Sequence, residues 1–372
     1  MFQSMMVSRF RCFADLKVEH LERINLIGGK NNIGKTALLE AIFLLLGPDN
    51  PELPMRLSAL RGIQWVEAVP EETWGWLFLE RRTQDTIEIA GRDESNQQRR
   101  LRIRLADSEA AQLQPVANGK DVGAKPIGSF TTAMGPRELV LEYEEAAKGP
   151  VTSRASLVVE GDQLKLKFQR PGDRQLPLFE RAPAGRFPLG VFLTSAAHYP
   201  QENAKRFSQL QEVGREGEVL ESLRILEPRL QRLVVSAIGP GIPIIQGDIG
   251  IRRHVPIQLM GEGIGKFLSC LLAVADASHG TVLIDELENG LHYTVLPKVW
   301  KAIAEFARRF ETQVFATTHS GECIRAAHDF FDACGTYDFA YHRLDRAGES
   351  IASVTFDREM LSTALATGLE PR

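Results

Sequence analysis

The chain has few cysteines and no long apolar stretch. Its four cysteines, Cys12, Cys270, Cys323 and Cys334, are widely spaced, so neither a C-x-x-C zinc site nor a disulfide framework is expected. The longest apolar run, AIFLLLG at 41–47, is far shorter than a membrane span. Arginines interrupt the first residues, where a signal peptide needs an apolar core. These absences predict a cytoplasmic protein with no membrane contact.

The sequence also lacks a strong excess of one charge. Lys and Arg number 44 against 48 Asp and Glu, which gives a net charge of −4 over 372 residues. Global charge therefore neither indicates nor excludes nucleic acid, because a local basic surface can still contact a phosphate backbone. With 44% hydrophobic residues, the chain is long enough to bury one large core that carries a sizeable lobe.

Four stretches of the chain differ in their hydrophobic pattern. The first reads as strands, a glycine-rich loop and a helix from Lys35 that Gly47 and Pro48 end. The second alternates apolar and polar residues and includes a predicted hairpin in VVEGDQLKLKF. The third reads as helical over residues 201–238, and the last alternates strands and helices, which predicts a parallel sheet. The prediction is a single domain, 1–372, made of a loop-bearing subdomain (1–47), a β-rich insertion (48–200), a helical lobe (201–254) and a final subdomain (255–372).

The glycine-rich loop GKNNIGKT matches the P-loop pattern G-x-x-x-x-G-K-[ST]. It lies between an apolar strand and an apolar helix, which is the context that this motif requires. Its backbone amides and the helix N-terminus would point at phosphates, Lys35 would neutralise the β- and γ-phosphates of ATP, and Thr36 would bind Mg²⁺ through its hydroxyl. The predicted nucleotide-binding residues of the loop are Gly29, Asn31, Asn32, Ile33, Gly34, Lys35, Thr36 and Ala37.

A second, acidic motif follows an apolar strand late in the chain. In TVLIDELENGLH, Asp285 and Glu286 come directly after the strand. The carboxyl ends of the strands in such a sheet face the bound ligand. Asp285 is therefore expected to hold Mg²⁺ through water, and Glu286 to orient or deprotonate the attacking water, a role worth ~10² to 10⁴ in rate. A solvated acidic turn is the alternative.

A histidine ends the next predicted strand. In QVFATTHS, His319 lies one helix and one strand after the acidic pair. An imidazole there can donate a hydrogen bond to the γ-phosphate or to the attacking water, so His319 is expected to distinguish a triphosphate from a diphosphate. A surface histidine is the alternative. The predicted catalytic residues are Glu286, His319 and Lys35.

The order of these motifs resembles that of a known family. A P-loop, a long insertion, a glycine signature, Asp-Glu and a switch histidine follow one another in ABC-type ATPases of the SMC, RecF and OLD (overcoming lysogenization defect) group. The segments NLIGGKNNIGKTALLEAI, DELENGLH and FATTHS resemble that group, and especially the compact standalone AAA family ATP-binding proteins related to OLD. The resemblance implies an α/β fold: a P-loop NTPase core of ABC-ATPase type with a β-rich insertion and a helical lobe.

The resemblance also implies two further parts of the nucleotide site. The segment FRCF at 10–13 matches an F-R-x-F pattern whose arginine, here Arg11, lies near the phosphates, with an exposed strand arginine as the alternative. In LMGEGIGK, Gly261 and Gly263 match the signature that binds the γ-phosphate held by the opposite protomer, although Met260 stands where a serine is usual. A glycine turn that caps the next helix is the alternative. The resemblance thus implies a head-to-tail homodimer, or a higher homo-oligomer, with composite sites.

The sequence defines partner molecules less closely. Two basic runs are candidates for contact with DNA or RNA, or else are solvated faces. Only 52 residues follow Ser320 (372 − 320), and they lack the acidic set of the Toprim nuclease that larger OLD relatives carry, so the chain is not expected to cut DNA itself. The resemblance implies a separate effector protein, such as a nuclease, and a role in phage defence. The basic residues are Arg99, Arg100, Arg102, Arg104, Arg252 and Arg253.

Three functions remain open from the sequence. The favoured one is Mg²⁺-dependent ATP hydrolysis by a dimer that regulates DNA transactions or a partner effector, with a DNA repair or recombination ATPase of RecF type as a variant of it. A transporter nucleotide-binding subunit is disfavoured by the missing signature serine and by the long insertion. A GTPase or small-molecule kinase would share only the P-loop, and no N-K-x-D guanine-binding motif follows the acidic pair.

Overall fold

Three β-sheets and nine α-helices make up the described part of the chain. This computed structural model describes residues 1–63, 66–108, 137–146, 148–160, 163–170, 187, 189–195, 199–238 and 241–367. The helices are α1 Lys35–Leu46, α2 Leu53–Leu60, α3 Pro70–Trp74, α4 Pro200–Glu212, α5 Glu216–Leu223, α6 Glu262–Asp276, α7 Leu296–Arg309, α8 Gly321–Ala333 and α9 Arg358–Ala366. Among the described residues, no helix is both long enough and apolar enough to cross a bilayer.

A six-stranded sheet, the core sheet, carries the predicted P-loop. Its strands are β3 Ile24–Gly29, β9 Gly190–Leu193, β13 Thr281–Ile284, β14 Gln313–Thr317, β15 Phe339–Ala347 and β16 Ser350–Phe356. They lie in the order β16, β15, β3, β14, β13, β9, and every neighbouring pair is parallel except β15 with β16. The alternation of strands and helices in the last third of the sequence therefore forms the parallel sheet that was predicted.

Alternate residues of the core strands face two separate hydrophobic cores, as the two-residue period of a strand requires. Val282 and Val314 lie in a core with helices α4 to α9, whereas Leu283 and Phe315 lie in a second core with α1. Helix α1 is apolar around most of its circumference because it packs between the core sheet and a second sheet. This packing fixes the start of α1, and with it the loop before it, against the sheet.

The second sheet is antiparallel and has seven strands. These are β1 Phe2–Phe10, β2 Phe13–Glu19, β4 Ile87–Asp93, β5 Gln98–Asp107, β6 Arg137–Glu145, β7 Lys148–Glu160 and β8 Gln163–Gln169, in the order β2, β1, β4, β5, β6, β7, β8. The predicted hairpin forms, with Leu157 opposite Leu166. Strands from the start of the chain thus share a sheet with those of the predicted insertion. The division of the chain into four parts remains a proposal.

A third sheet corrects one local expectation. Residues 229–238 were expected to continue the helical lobe, but they form strand β10 Arg232–Ile238, which pairs with β11 Ile242–Asp248, followed by β12 Val255–Pro256. The helical pattern ends before Pro228, which removes a helix donor, and the following β-branched Val234 and Val235 favour a strand. The helical expectation holds for α4 and α5, where Val219 and Leu223 are buried.

Candidate nucleotide site

The predicted P-loop connects β3 to α1. Gly29 ends β3 with φ 131°, and a Cβ at this position would lie 2.5 Å from the Leu344 carbonyl oxygen, so only glycine fits. Gly34 has φ 99° and precedes the first residue of α1. Asn31 and Asn32 are exposed at the tip of the loop, whereas Ile33 and Ala37 are buried in the second core. The two apolar residues anchor the loop and leave its tip open to a ligand.

Lys35 is buried at the start of α1. Its side chain donates hydrogen bonds to two carbonyl oxygens of its own loop, Gly29 O at 2.6 Å and Lys30 O at 2.9 Å. Burial lowers the pKa of the Lys35 amine to about 8, against the opposing effect of the nearby Asp285, Glu288 and Glu286 carboxylates. The ammonium is therefore held by neutral groups near three negative charges.

Asp285 directly follows β13 and is buried. The Thr36 hydroxyl lies 3.1 Å from both of its carboxylate oxygens, although the two residues are 249 positions apart in the sequence. The Thr317 hydroxyl donates to Asp285 Oδ1 at 2.7 Å. The structure thus brings together the two residues predicted to bind metal, and hydroxyl groups of Thr36 and Thr317 hold the carboxylate in place.

Glu286 has a left-handed backbone, with φ 49°. Three neighbours hold this residue in place: its amide donates to Thr317 Oγ1 at 2.8 Å, its Oε2 accepts from Asn289 Nδ2 at 2.6 Å, and its carbonyl oxygen accepts from Lys266 Nζ at 2.5 Å. The carboxylate is about one-third exposed. Hydrogen bonds to protein groups therefore hold Glu286 in place, while part of its carboxylate is open to solvent.

His319 lies beside Glu286, at the end of the neighbouring strand β14. The ring Nε2 is 3.5 Å from Glu286 Oε1, and both side chains are partly exposed. The His319 backbone amide donates to Glu288 Oε1 at 2.7 Å. The parallel sheet therefore brings the predicted acidic pair and the predicted switch histidine to one edge, as their strand-end positions indicated.

The Arg11 side chain contacts helix α1. Its Nε lies 2.7 Å from Glu40 Oε2, and Arg61 pairs with the same buried carboxylate. Glu40 follows Thr36 by one helical turn, so Arg11 lies on the side of α1 that carries Thr36. Burial lowers the pKa of Arg11, and Glu40 partly offsets this. Its Nη2 is buried without a hydrogen-bond partner among the described residues.

The two signature glycines lie at the start of α6. Gly261 is exposed with φ 129°, and Gly263 is buried against the turn that follows Glu286. A Cβ at Gly263 would overlap the Gly290 carbonyl oxygen, so the two segments can approach only because this residue is glycine. Among the described residues, no hydrogen bond joins either signature glycine to residues 29–36 of the same chain.

The basic run on β5 is neutralised within its own sheet. Its arginines face glutamates on β4 and β6, the two strands that flank β5. Arg252 and Arg253, by contrast, are exposed between β11 and β12. The closest pairs are Arg99 with Glu145 at 3.5 Å, Arg100 with Glu88 at 3.2 Å, Arg102 with Glu144 at 3.2 Å and Arg104 with Glu142 at 2.8 Å.

Four residues of the site carried no motif signal of their own. Thr317 forms hydrogen bonds with both members of the acidic pair, and Lys266 forms hydrogen bonds with their carbonyl groups. Glu288 accepts a hydrogen bond from the His319 amide, and Glu40 forms an ion pair with Arg11. All four do lie inside segments that carry the predicted motifs: Thr317 in FATTHS, Lys266 in LMGEGIGK, Glu288 in DELENGLH and Glu40 in NLIGGKNNIGKTALLEAI. Proximity to a motif was the only signal available, because these contacts join distant parts of the sequence.

Comparison with known proteins agrees with the fold and the motifs. A family model described as "AAA domain" matches residues 4–228, more than half of the chain. A second model, described as "AAA domain, putative AbiEii toxin, Type IV TA system", matches residues 165–323. A Helicobacter pylori protein named ATP/GTP phosphatase is 26% identical over 333 residues, covering 87% of this chain and 86% of that protein.

Two further similarities cover very different lengths of this chain. An uncharacterized protein of Methanocaldococcus jannaschii is 44% identical over 46 residues, which is 12% of this chain and 21% of that protein. The solved structure of an SMC head bound to the C-winged helix domain of ScpA is similar in fold, with a TM-score of 0.50 at 11% identity over 97% of this chain and 99% of that one. The predicted fold class, an α/β P-loop NTPase core of ABC-ATPase type, is therefore confirmed, and the chain belongs to the AAA domain family.

Proposed function

We propose that two copies of this chain form a head-to-tail dimer that hydrolyses ATP with Mg²⁺ at two shared sites and so controls DNA or a separate effector protein. One observation carries the proposal. The Thr36 hydroxyl lies 3.1 Å from the Asp285 carboxylate, with the buried Lys35 within electrostatic reach of that carboxylate. A P-loop and an acidic strand end that meet in this way provide the two halves of one Mg²⁺-nucleotide site.

The oxygen atoms of Thr36 and Asp285 suit Mg²⁺, which prefers hydroxyl, carboxylate and phosphate oxygens. When bound, Mg²⁺ would neutralise charge on the phosphate oxygens of ATP. Thr36 and Asp285 would hold it, and the bond from Thr317 Oγ1 to Asp285 Oδ1 would keep the carboxylate in position. Lys35 would exchange the Gly29 and Lys30 carbonyls for phosphate oxygens, which make stronger, charge-assisted hydrogen bonds.

Glu286 and His319 are the candidates for work on the attacking water. The bond from Asn289 Nδ2 occupies Glu286 Oε2 and leaves Oε1 directed to the His319 ring, 3.5 Å away. A water between the ligand and these two groups would lose a proton to Glu286 as it attacks, while His319 donates to the water or to the γ-phosphate. Arg11 is a further candidate for phosphate contact, because its buried Nη2 has no acceptor among the described residues.

The signature glycines favour a site shared between copies. Gly261 is exposed at the N-terminus of α6, where backbone amides attract anionic oxygens. Since no hydrogen bond of the described residues joins Gly261 or Gly263 to the P-loop of the same chain, the triphosphate that they contact would be the one held by a second copy. ATP would then hold the dimer together, and hydrolysis would release it.

The regulated partner is inferred from the relatives alone. The SMC head among the solved structures is bound to the C-winged helix domain of ScpA, and one matching family model is described as "AAA domain, putative AbiEii toxin, Type IV TA system". We therefore favour a cytoplasmic switch for a separate effector, such as a nuclease in phage defence. DNA repair or recombination of RecF type is the alternative, with Arg252 and Arg253 as exposed cations for a phosphate backbone.

Glu286→Gln tests this function. The variant should bind ATP, accumulate as an ATP-dependent dimer in light scattering and lose about 10²- to 10⁴-fold in kcat, because the amide cannot accept the proton. Glu305→Gln, the same change at an exposed position of α7, is the control and should behave as the parent. Turnover at the parent rate, or a Glu286→Gln protein that stays monomeric at saturating Mg²⁺ and ATP, contradicts the proposal. Competition with GTP tests the choice of nucleotide.

A further inference from the structure

Lys266 links the signature helix to the acidic pair of the same chain. It lies on α6 and donates from Nζ to the carbonyl oxygens of Asp285, at 2.8 Å, and Glu286, at 2.5 Å. These carbonyls come just after Ile284, the last residue of β13, in a segment whose Asp285 amide still donates to Leu193 O of β9 at 2.8 Å. A single ammonium therefore provides a charged donor to both peptide groups of the acidic pair.

The backbone that Lys266 holds is one that would otherwise be unfavourable. The left-handed conformation of Glu286, with φ 49°, is one that a residue with a Cβ adopts at an energetic cost. The ammonium on its carbonyl oxygen and the Thr317 hydroxyl on its amide compensate for that cost. The direction of the Glu286 carboxylate therefore depends on where α6 places the Lys266 amine.

The same helix begins at the signature. Gly263 precedes Lys266 by three residues, about 4.5 Å along a helix, and is buried against Gly290, which follows Glu286 by four residues. Helix α6 thus contacts the segment from Asp285 to Gly290 at two points, one through glycine packing and one through the lysine. A shift of the signature cannot leave this segment unmoved, because packed elements transmit displacement.

We propose that Lys266 is a positioning residue that couples the two ATP sites of the dimer. The inference rests on the proposed function, in which Gly261 and Gly263 contact the triphosphate of the second copy. Binding of that triphosphate would fix the position of α6, and α6 would fix the position of the Lys266 amine. Lys266 would in turn orient the Glu286 carboxylate, which serves the nucleotide of its own chain. Each site would then become competent only when the other is filled.

Lys266→Gln tests this coupling, with Lys266→Arg as the conservative variant and Lys298→Gln, an exposed position on α7, as the matched control. In Lys266→Gln, kcat should fall by about tenfold to a hundredfold, since a small displacement of a reacting group is costly. The Hill coefficient for ATP turnover should fall with it. ATP-dependent dimerisation, measured by light scattering in the Glu286→Gln background, should be retained. Lys266→Arg should recover both kcat and cooperativity, and Lys298→Gln should match the parent.

The outcomes separate this inference from the proposed function. If Lys266→Gln keeps the parent kcat and Hill coefficient while the Glu286→Gln background still dimerises with ATP, the coupling is wrong and the proposed function stands. If Glu286→Gln with Lys266 intact does not dimerise, the proposed function fails and the coupling fails with it. If Lys266→Gln and Lys266→Met both lose their folding transition and Lys266→Arg restores folding but not cooperativity, Lys266 has only a structural role.

Discussion

The seven-stranded sheet and the P-loop edge of the core sheet both carry many charged side chains, but the bonding partners of those side chains differ. On β5, arginines face glutamates of the flanking strands, for example Arg104 and Glu142 at 2.8 Å. At the P-loop edge, Lys35 bonds to carbonyl groups and Asp285 bonds to hydroxyls. Charges that neutralise one another support a sheet, whereas charges held by neutral groups remain available to a charged ligand.

In sequence, the arginine run on β5 looks like a patch that binds phosphate, but in the structure it differs from one. The arginine run on β5 is as dense as a phosphate-binding patch, yet cross-strand pairing gives every one of its arginines a glutamate partner. Pairs of this kind contribute little to stability when exposed, because solvent screens them. They do lower the net positive charge that a nucleic acid would meet on that face.

Among substitutions at the P-loop edge and on the seven-stranded sheet, Thr317→Val should lower kcat the most. The change keeps the side-chain shape but removes the hydroxyl that donates to Asp285 and accepts from the Glu286 amide. The buried Asp285 carboxylate then keeps only the Thr36 hydroxyl of its two hydroxyl partners, and the partly buried Glu286 amide loses its acceptor, at about 1–3 kcal/mol. We expect kcat to fall by roughly 10- to 100-fold, since misplacement of reacting groups by small distances carries such costs. Steady-state ATPase assays measure it.

Thr312→Val is the matched control, because Thr312 is equally buried and lies just before the other end of β14. Its hydroxyl donates to the Val274 carbonyl at 2.9 Å, far from the P-loop edge. This variant should lose stability without a comparable loss of kcat. An equal loss of kcat in both variants would mean that turnover follows overall stability rather than the position of the acidic pair.

A rise in pH should weaken ATP binding, with an effect between those expected for Thr317→Val and Arg104→Gln. Burial lowers the pKa of Lys35 to about 8, so the amine loses its charge as the pH rises through that value. If only the ammonium binds phosphate, the apparent affinity should fall roughly tenfold from pH 7 to pH 9. Lys35→Arg stays charged over this range, so its affinity, measured by calorimetry, should stay flat. A parent affinity that is equally flat contradicts the assignment.

The lowered pKa of Lys35 also makes the free energy of unfolding depend on pH. The ordinary pKa of a lysine, 10.5, lies above that of folded Lys35, so between about 8 and 10.5 the unfolded chain binds the additional proton. The contribution of Lys35 to the free energy of unfolding therefore rises with pH across that window and is flat below it. Denaturation by urea at pH 7 and pH 9.5, compared between the parent and Lys35→Met, isolates this contribution.

Arg104→Gln should have the smallest effect. Arg104 and Glu142 are both more than one-third exposed, so the lost pair should cost about 0–1 kcal/mol in urea denaturation. Turnover should be unchanged, because the sheet surface takes no part in the nucleotide site. Substantial loss of ATPase activity on this change would show that the paired charges on β5 do more than support their sheet.

The sequence predicted those parts of the site whose residues are close together in the chain. The P-loop, the acidic pair and His319 each follow a short apolar strand, and parallel pairing then places their carboxyl ends on one edge. The strand pattern of β4 to β8 was likewise readable from alternation. These features depend on local periodicity, which a single sequence displays directly.

The rest depended on pairing between distant segments. The register that places Arg102 opposite Glu142 joins residues 40 positions apart, and no local pattern specifies it. The Thr36 to Asp285 and Lys266 to Glu286 contacts depend in the same way on how the core sheet and α6 assemble. Strand β10 was missed because the helical pattern before Pro228 was extended past the proline.

The placement of β1 between β2 and β4 makes the middle of the chain hard to remove. A shortened protein without β4 to β8 would expose a whole edge of β1, and with it backbone groups ready to pair with another chain. Leucines and isoleucines from both sides of that boundary fill the space over α1. Protein engineers should therefore expect deletion of this region to yield aggregates rather than a minimal ATPase.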